Sequence, residues 1–343
     1  MKFANVKSNL LLFFISIAIA LILGEVMVRL FVEQETKRLA AYDKELGWTG
    51  KPFGEGVYVR NKDKIRSSYR YNNLGFRDDD FDGASSSGKR IVLLGDSFVE
   101  SLEMDYELIF HERFENILQK RENPDIQVVA LGSQGYSTAQ ELLAFRKFKD
   151  AVKPEYVWLL FYTGNDYTDN LRKSFAYLDK DGKLKFPKND ASWLKVRYLT
   201  FKRWLYEHSH AIFFIKNLLE SRMNVKISTD NKTESKGSSK YRYEVTRELI
   251  LQLNQEVRDS GAKFGVVIIP FREELIKNDR KNIDFVVDVC KQGTIDFLDL
   301  SQFLQVSDYF KHDVHFVDKG HDLVAKELFN FYNKVNTDLE GSL

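Results

Sequence analysis

Between residues 90 and 332 the sequence alternates short apolar runs with longer amphipathic segments, and this alternation limits the possible folds more than any other feature. Apolar runs typical of buried strands occupy residues 91–94, 126–131, 156–161, 264–269 and 295–298. Helical patterns follow over residues 107–120, 138–149, 243–259, 281–291 and 319–332. Buried strands separated by helices form a parallel sheet that is covered on both faces. The sequence therefore predicts an α/β fold, a three-layer α/β/α arrangement with a mainly parallel sheet.

The alternation is interrupted between residues 168 and 241, where we expect an insertion. Residues 179–182, Asp-Lys-Asp-Gly, lie between apolar residues and predict a hairpin, and residues 193–219 predict one or two amphipathic helices. Residues 33–88 carry glycines and charges without a long periodic segment, which is typical of a connector or cap. The main domain is therefore expected over residues 89–335.

The first 32 residues predict a membrane anchor. Seventeen uncharged residues separate Lys7 from Glu25, which is the lower limit for crossing a bilayer. Glu25 and Arg29 are spaced to pair on one helix face at the headgroup level. Residues 18–20, Ala-Ile-Ala, also match a signal-peptide cleavage site, and a buried helix of a soluble domain is a further alternative. We expect an uncleaved single-pass helix with its N-terminus in the cytoplasm and the main domain outside, in the periplasm or at the cell surface.

Composition argues against two classes of function. The chain has 51 Lys and Arg against 50 Asp and Glu, a formal net charge of +1, whereas nucleic-acid binders carry a basic excess. One cysteine, Cys290, excludes an internal disulfide framework and a cysteine-based zinc site. We therefore expect no nucleic-acid partner and no cofactor.

Three segments at predicted strand ends carry groups suited to acyl transfer. Gly95-Asp96-Ser97 would place a hydroxyl at the sheet edge, although Asp96 or Ser97 could instead cap the next helix. The segment ending at Gly135 could offer a backbone N–H to a ligand, or be an ordinary turn. Asn165 has a side-chain N–H donor suited to an oxyanion, and a turn is again the alternative.

A fourth segment, which precedes the last helix, contains three of the six histidines. His315 can act as a general base if a carboxylate fixes its orientation, and Asp313 is two residues away. His321 and Asp318 form a rival pair. His312, Asp313 and His315 could also be taken for metal ligands, but the sequence offers no convincing further ligand, so we expect no metal.

In order and placement, these four segments resemble the conserved blocks of the SGNH hydrolase superfamily, the GDSL-type esterases and lipases. The resemblance covers residues 90–332 without the insertion. It implies that Ser97 is the nucleophile, that Gly135 and Asn165 form the oxyanion hole with the Ser97 amide, and that His315 and Asp313 complete a triad. The commonest family spacing places the acid three residues before the histidine, whereas Asp313 is two residues before it. Residues 73–77, Asn-Leu-Gly-Phe-Arg, and the anchor look like a membrane-tethered bacterial subgroup that is often linked to cell-surface polysaccharides.

The resemblance implies a serine hydrolase that cleaves an ester through an acyl-enzyme, with Asp96 and Asp166 holding the surrounding loops. The expected substrate is a small-molecule or glycan ester, such as an O-acetyl or other acyl group on a surface glycan or lipid-linked sugar. An O-acyltransferase with the same triad and a catalytically silent glycan-binding module are the alternatives.

Overall fold

In this computed structural model, residues 2–32, 40–82, 88–187, 192–219 and 236–340 are described. The chain divides into two compact units. One comprises Met1–Lys37 and Ser192–Glu234, and the other Arg38–Ala191 and Ser235–Leu343. The larger unit includes residues 38–88 and part of the expected insertion together with the α/β layers. The three-part division predicted from the sequence stays a prediction.

The centre of the larger unit is a five-stranded sheet whose paired strands are all parallel, in the order β11-β10-β7-β5-β6. The strands are β5 (Arg90–Gly95), β6 (Gln127–Gly132), β7 (Tyr156–Tyr162), β10 (Lys263–Ile269) and β11 (Asp296–Asp299). The helices that follow or separate them are α2 (Ser97–Glu100), α3 (Phe110–Arg121), α4 (Thr138–Val152), α5 (Asp166–Asp169), α8 (Lys236–Asp259), α9 (Arg272–Lys277), α10 (Lys281–Gln292) and α11 (Asp318–Glu340). The predicted α/β class is confirmed.

Alternate residues of each strand point to opposite faces of this sheet and form two separate cores. Val92 and Leu94 of β5 pack in one core with residues of α4, α8 and α10. Ile91 and Leu93 pack in the other with residues of α3 and α11. Because both faces are covered, the strands are almost continuously apolar, and this explains why their positions could be predicted.

Within residues 40–82, four short strands precede the sheet. β1 (Ala40–Asp43) pairs antiparallel with β2 (Gly47–Gly50), and β3 (Glu55–Arg60) pairs antiparallel with β4 (Ile65–Arg70). The region predicted to be a connector or cap therefore contains two antiparallel strand pairs. Further along, β8 (Tyr177–Leu178) and β9 (Leu184–Lys185) form the hairpin that was predicted around residues 179–182.

The described residues of the smaller unit form three helices: α1 (Lys2–Phe31), α6 (Trp193–His208) and α7 (His210–Leu219). Residues Asn9–Phe31 of α1 are long and apolar enough to cross a membrane. The predicted pair forms, since the Arg29 Nε donates to Glu25 Oε1 over 2.7 Å. The two helices predicted within residues 193–219 are also present.

Candidate active site

Ser97 is far along the chain from Asp313 and His315, yet the three side chains form a continuous hydrogen-bonded row. The His315 Nε2 lies 2.8 Å from the Ser97 Oγ, and its Nδ1 lies 2.5 Å from the Asp313 Oδ1. The same Asp313 oxygen accepts the backbone N–H of His315 over 3.1 Å. A carboxylate can only accept, so the Nδ1 carries a proton. In the neutral imidazole the Nε2 is then free to accept the hydroxyl proton of Ser97.

Close packing at the ends of β5 and β6 places the Ser97 hydroxyl at the edge of the sheet. Gly95 and Gly132 are paired in register, and Val99 of α2 packs against both glycines. A Cβ at Gly132 would lie 2.3 Å from the Val99 Cβ, and one at Gly95 would lie 2.4 Å from the Val99 Cγ2. Only glycine at these positions lets α2 turn directly from the strand end. Ser97 is half-buried while its neighbours on both sides are buried, so its side chain is the accessible one.

The His315 ring is held on two sides. Its backbone carbonyl accepts the N–H of Phe310, and the neighbouring Phe316 forms a bridge with Tyr309. The Phe98 ring, one residue after the proposed nucleophile, lies 4.8 Å from the His315 ring. His315 is therefore buried, with the Phe98 ring against its own ring and both ring nitrogens in polar contacts.

A second carboxylate, which the sequence analysis missed, faces the same imidazole. The Glu103 Oε1 lies 3.1 Å from the His315 Nδ1, and the Glu103 side chain is only 4% exposed. Its other oxygen, Oε2, is buried without a hydrogen-bond partner. The only signal in the sequence was the pair of acids, Glu100 and Glu103, directly after the apolar residues that follow Ser97. That signal does not distinguish a buried acid from a surface one.

These acids set the protonation of His315. Burial lowers the pKa of His315, but the negative charges of Glu103, Asp313 and Asp96 outweigh burial and raise it to about 9. Burial raises the pKa of Glu103, because it disfavours the charged carboxylate. Burial also acts on Asp313, but its hydrogen bond and charge interaction with His315 prevail and lower the Asp313 pKa. At neutral pH the imidazole is therefore mostly protonated, and its neutral form increases with alkaline pH.

The loop that contains Gly135 is fixed by its neighbours. Gly135 has a φ of +73°, in the left-handed region that favours glycine, and a Cβ there would meet only the Trp48 ring, at 3.9 Å. The buried Glu100 accepts the N–H of Gln134 over 2.6 Å and the Tyr71 hydroxyl over 2.7 Å. The loop is thus rigid and partly open to solvent. The role of Gly135 as an oxyanion donor stays a prediction.

Residues 40–82 build much of this support, which the sequence analysis also missed. The Trp48 Nε1 donates to the carbonyl of Gln134 over 3.1 Å. The buried Arg77 guanidinium donates to the carbonyls of Ser101 and Met104, which lie in the segment after α2, and to the carbonyl of Ser68 in β4. The predicted cap is therefore part of the wall of the site.

Asn165 is half-buried, and both protons of its amide are bound by carboxylates. Its Nδ2 donates to the Asp96 Oδ2 and to the Asp169 Oδ2, each over 3.1 Å. Asp96 also accepts the N–H of Phe98 over 2.9 Å, so it links the first and third segments. An oxyanion role for Asn165 requires one of these N–H groups to turn towards substrate, and that role also stays a prediction.

Buried acids lie beneath Asn165. The Asp166 Oδ2 accepts the N–H of Tyr162 over 2.8 Å, which closes the turn after β7. Burial and the charge of Glu141 raise the Asp166 pKa well above its ordinary value, and burial with the charge of Asp96 does the same for Glu141. Asp166 therefore helps to hold the loop through this hydrogen bond.

The rival pair of Asp318 and His321 does not form. Asp318 pairs with Arg113 rather than with His321, whose Nδ1 accepts the N–H of Phe110 over 3.2 Å. Burial lowers the His321 pKa well below its ordinary value, so this ring stays neutral. Among the described residues, the side chains that could together bind a metal ion are Glu103, Asp313 and His315, whose ligand atoms lie within 4.8 Å of one another. His312, which the sequence suggested as a ligand, is not part of this set.

Comparison with known proteins gives structural matches only. No family model matches the chain, and no curated protein matches it. It is similar to an esterase, EstA, from Pseudoalteromonas sp. (11% identity, 73% of this chain and 99% of that one covered, TM-score 0.44). It is also similar to a catalytic mutant of Axe2, an acetylxylan esterase from Geobacillus stearothermophilus (12%, 72% and 94%, 0.43), and to a GDSL-like lipase from Bacteroides thetaiotaomicron (14%, 74% and 89%, 0.37). At these TM-scores and identities, the function of this chain is inferred from its own residues.

Proposed function

We propose that the protein is a serine esterase of the SGNH type. The observation that carries the proposal is the row Ser97 Oγ, His315 Nε2 and Nδ1, and Asp313 Oδ1, with separations of 2.8 and 2.5 Å. This is the arrangement of nucleophile, base and orienting acid that acyl transfer requires. The half-buried position of Ser97 at the sheet edge supports the proposal, because a substrate carbonyl can reach it.

In the proposed reaction, neutral His315 takes the proton of Ser97 while the Oγ attacks the ester carbonyl. The carbonyl π electrons move onto oxygen, and the amides of Ser97 and Gly135 and the side chain of Asn165 stabilise the oxyanion. The carbonyl re-forms as the bond to the alcohol oxygen breaks, and the alcohol leaves with the proton from His315. His315 then takes a proton from a water molecule that attacks the acyl carbonyl, and the bond to Ser97 Oγ breaks as the Oγ receives that proton from His315 and the acid leaves. Asp313 stabilises the imidazolium in both halves of the cycle.

We also propose that α1 is an uncleaved anchor that places the esterase on the extracytoplasmic side, in the periplasm or at the cell surface. Its substrate would then be an acyl ester, such as an acetyl group, on a surface glycan or a lipid-linked sugar. The length and hydropathy of residues Asn9–Phe31 support a membrane span. Cleavage at residues 18–20 would leave residues 21–24 and the apolar residues beyond Glu25 at the new N-terminus, which favours retention of α1.

Hydrolysis of a short-chain aryl ester by the full-length protein in detergent tests the activity. The wild type and Ser260→Ala, a control in which an exposed serine is replaced, should release the phenol at equal rates. Ser97→Ala should be inactive. Equal rates for Ser97→Ala and the control would refute the role of Ser97. Addition of a sugar acceptor separates hydrolysis from acyl transfer, because transfer yields an acylated sugar in place of the free acid.

A further inference from the structure

The exposed face of α6 is aromatic. Along this helix the large exposed side chains follow helical spacing and fall on one side: Trp193, Leu194, Tyr198, Phe201 and Trp204, each at least 51% exposed. The Phe201 and Trp204 rings stack with centroids 6.1 Å apart. On α7, Ile215 and Leu219 are each 54% exposed. Water is an unfavourable environment for a surface of this size and composition.

Positive charge accompanies this aromatic face. α6 carries four basic side chains, Lys195, Arg197, Lys202 and Arg203, against one acid, Glu207. The Arg197 guanidinium lies over the Trp193 ring, 4.9 Å from its centroid. Helices with aromatic residues on one face and lysine or arginine around it lie in the interface of membranes that contain anionic lipids.

The turn between α6 and α7 is tied to α1. The Glu25 carboxylate accepts the backbone N–H groups of His210 and Ala211 over 2.9 and 3.0 Å, and the Ser209 hydroxyl over 2.8 Å. The Arg29 Nη2 donates to the His208 carbonyl over 2.8 Å. The pair therefore satisfies the last turn of one helix and the first turn of the next, which explains why two charged residues interrupt an apolar helix.

The position of this contact along α1 fits a membrane surface. Glu25 lies 18 residues after Lys7, the last charged residue before the apolar stretch, which corresponds to about 27 Å along a helix. The hydrocarbon core of a bilayer is about 30 Å thick, so the turn is held near the boundary between hydrocarbon and headgroups. We propose that α6 and α7 lie in the surface of the same bilayer that α1 crosses, with the aromatic face of α6 among the lipid headgroups and upper acyl chains of an anionic membrane. The inference rests on α1 being the proposed anchor and is independent of the ester chemistry.

Site-directed fluorescence in vesicles tests this arrangement with the full-length protein. Replacement of the buried Cys290 by alanine gives a cysteine-free background. A single cysteine then carries an environment-sensitive dye at Tyr198 on the aromatic face, at Val196 on the opposite side of α6, or at Leu21 within α1. The vesicles contain equal parts of phosphatidylcholine and phosphatidylglycerol, with a nitroxide high on the acyl chain.

We expect nitroxide lipid to quench the Tyr198 label at least about twofold more than the Val196 label, with the Leu21 label also quenched. Quenching at Leu21 without quenching at Tyr198 would overturn the inference while leaving the anchor intact. No quenching at either position would overturn both. A Tyr198 label that responds to protein concentration rather than to nitroxide lipid would indicate contact between two copies and overturn the inference. In a Glu25→Gln variant we expect weaker quenching at Tyr198 and unchanged quenching at Leu21; unchanged quenching at both positions would overturn the role of Glu25.

Discussion

Replacement of Glu103 by glutamine is predicted to shift the pH dependence of ester hydrolysis to lower pH. The Glu103 Oε1 lies 3.1 Å from the His315 Nδ1, and its negative charge is the largest of the charges that raise the His315 pKa to about 9. Only neutral His315 can accept the proton of Ser97, so the rate should follow the neutral fraction of this imidazole. Glutamine keeps the size of the side chain and removes its charge.

The expected shift can be worked from the contact. With a pKa of about 9, about 1% of the imidazole is neutral at pH 7 and about half at pH 9. An opposite charge within about 4–6 Å changes a pKa by about 1–3 units, so without Glu103 the midpoint should fall to between about 6 and 8. A fall of about 2 units would raise the neutral fraction at pH 7 to about one half. Because the imidazolium also loses a stabilising charge, the rate plateau at high pH should be lower than in the wild type.

The assay is kcat/KM for an aryl acetate between pH 6 and pH 10, with the rate of Ser97→Ala subtracted at each pH as the background of spontaneous hydrolysis. The wild-type and Glu103→Gln profiles should cross, since the variant is the faster enzyme at pH 7 and the slower one at pH 10. The rate of inactivation by a fluorophosphonate provides a second profile that needs no turnover. Superimposable midpoints in both assays would show that Glu103 does not act on His315 and would refute the reasoning.

Three further outcomes follow from the same contacts. Asn165→Ala should lower kcat by about two to three orders of magnitude at saturating ester, as loss of an oxyanion donor does; an unchanged kcat would exclude that role. Gly132→Ala should lower the free energy of unfolding by about 1–3 kcal/mol, because its Cβ would lie 2.3 Å from that of Val99, and addition of Val99→Ala should restore part of the loss in urea denaturation. The folded pKa of His315 lies above its unfolded value of about 6.5, so the stability from its protonated form is complete below about pH 6.5 and is lost as pH rises through about 9. His315→Gln should therefore lower the urea midpoint more at pH 6 than at pH 10, and equal losses would contradict the raised pKa.

The layers of the fold were predictable because their signals are local. Strands buried on both faces produce uninterrupted apolar runs such as residues 156–161, and the structure extends that strand only to Tyr162. The short helix α9 and strands β1 to β4 were not predicted. Each is at most six residues long, which is too short for a reliable periodic pattern, and residues 40–82 are stabilised by contacts with distant parts of the chain.

The candidate site could be predicted in part for the same reason. Ser97 and His315 follow recognisable strand-end and pre-helix motifs, and the structure places them in hydrogen-bonding contact. Glu103 could not be found in this way, because its role depends on how the segment after α2 packs against His315, which no local sequence pattern records. The bonding of both Asn165 protons to Asp96 and Asp169 is likewise a tertiary property.

The most direct test of the account is intact-mass analysis after treatment of the full-length protein with a fluorophosphonate. The account predicts a single covalent adduct on the wild type and on Ser260→Ala, formed faster as pH rises towards 9, and no adduct on Ser97→Ala. An unmodified wild-type protein, or an adduct that persists when Ser97 is replaced, would contradict the claim that His315 activates Ser97.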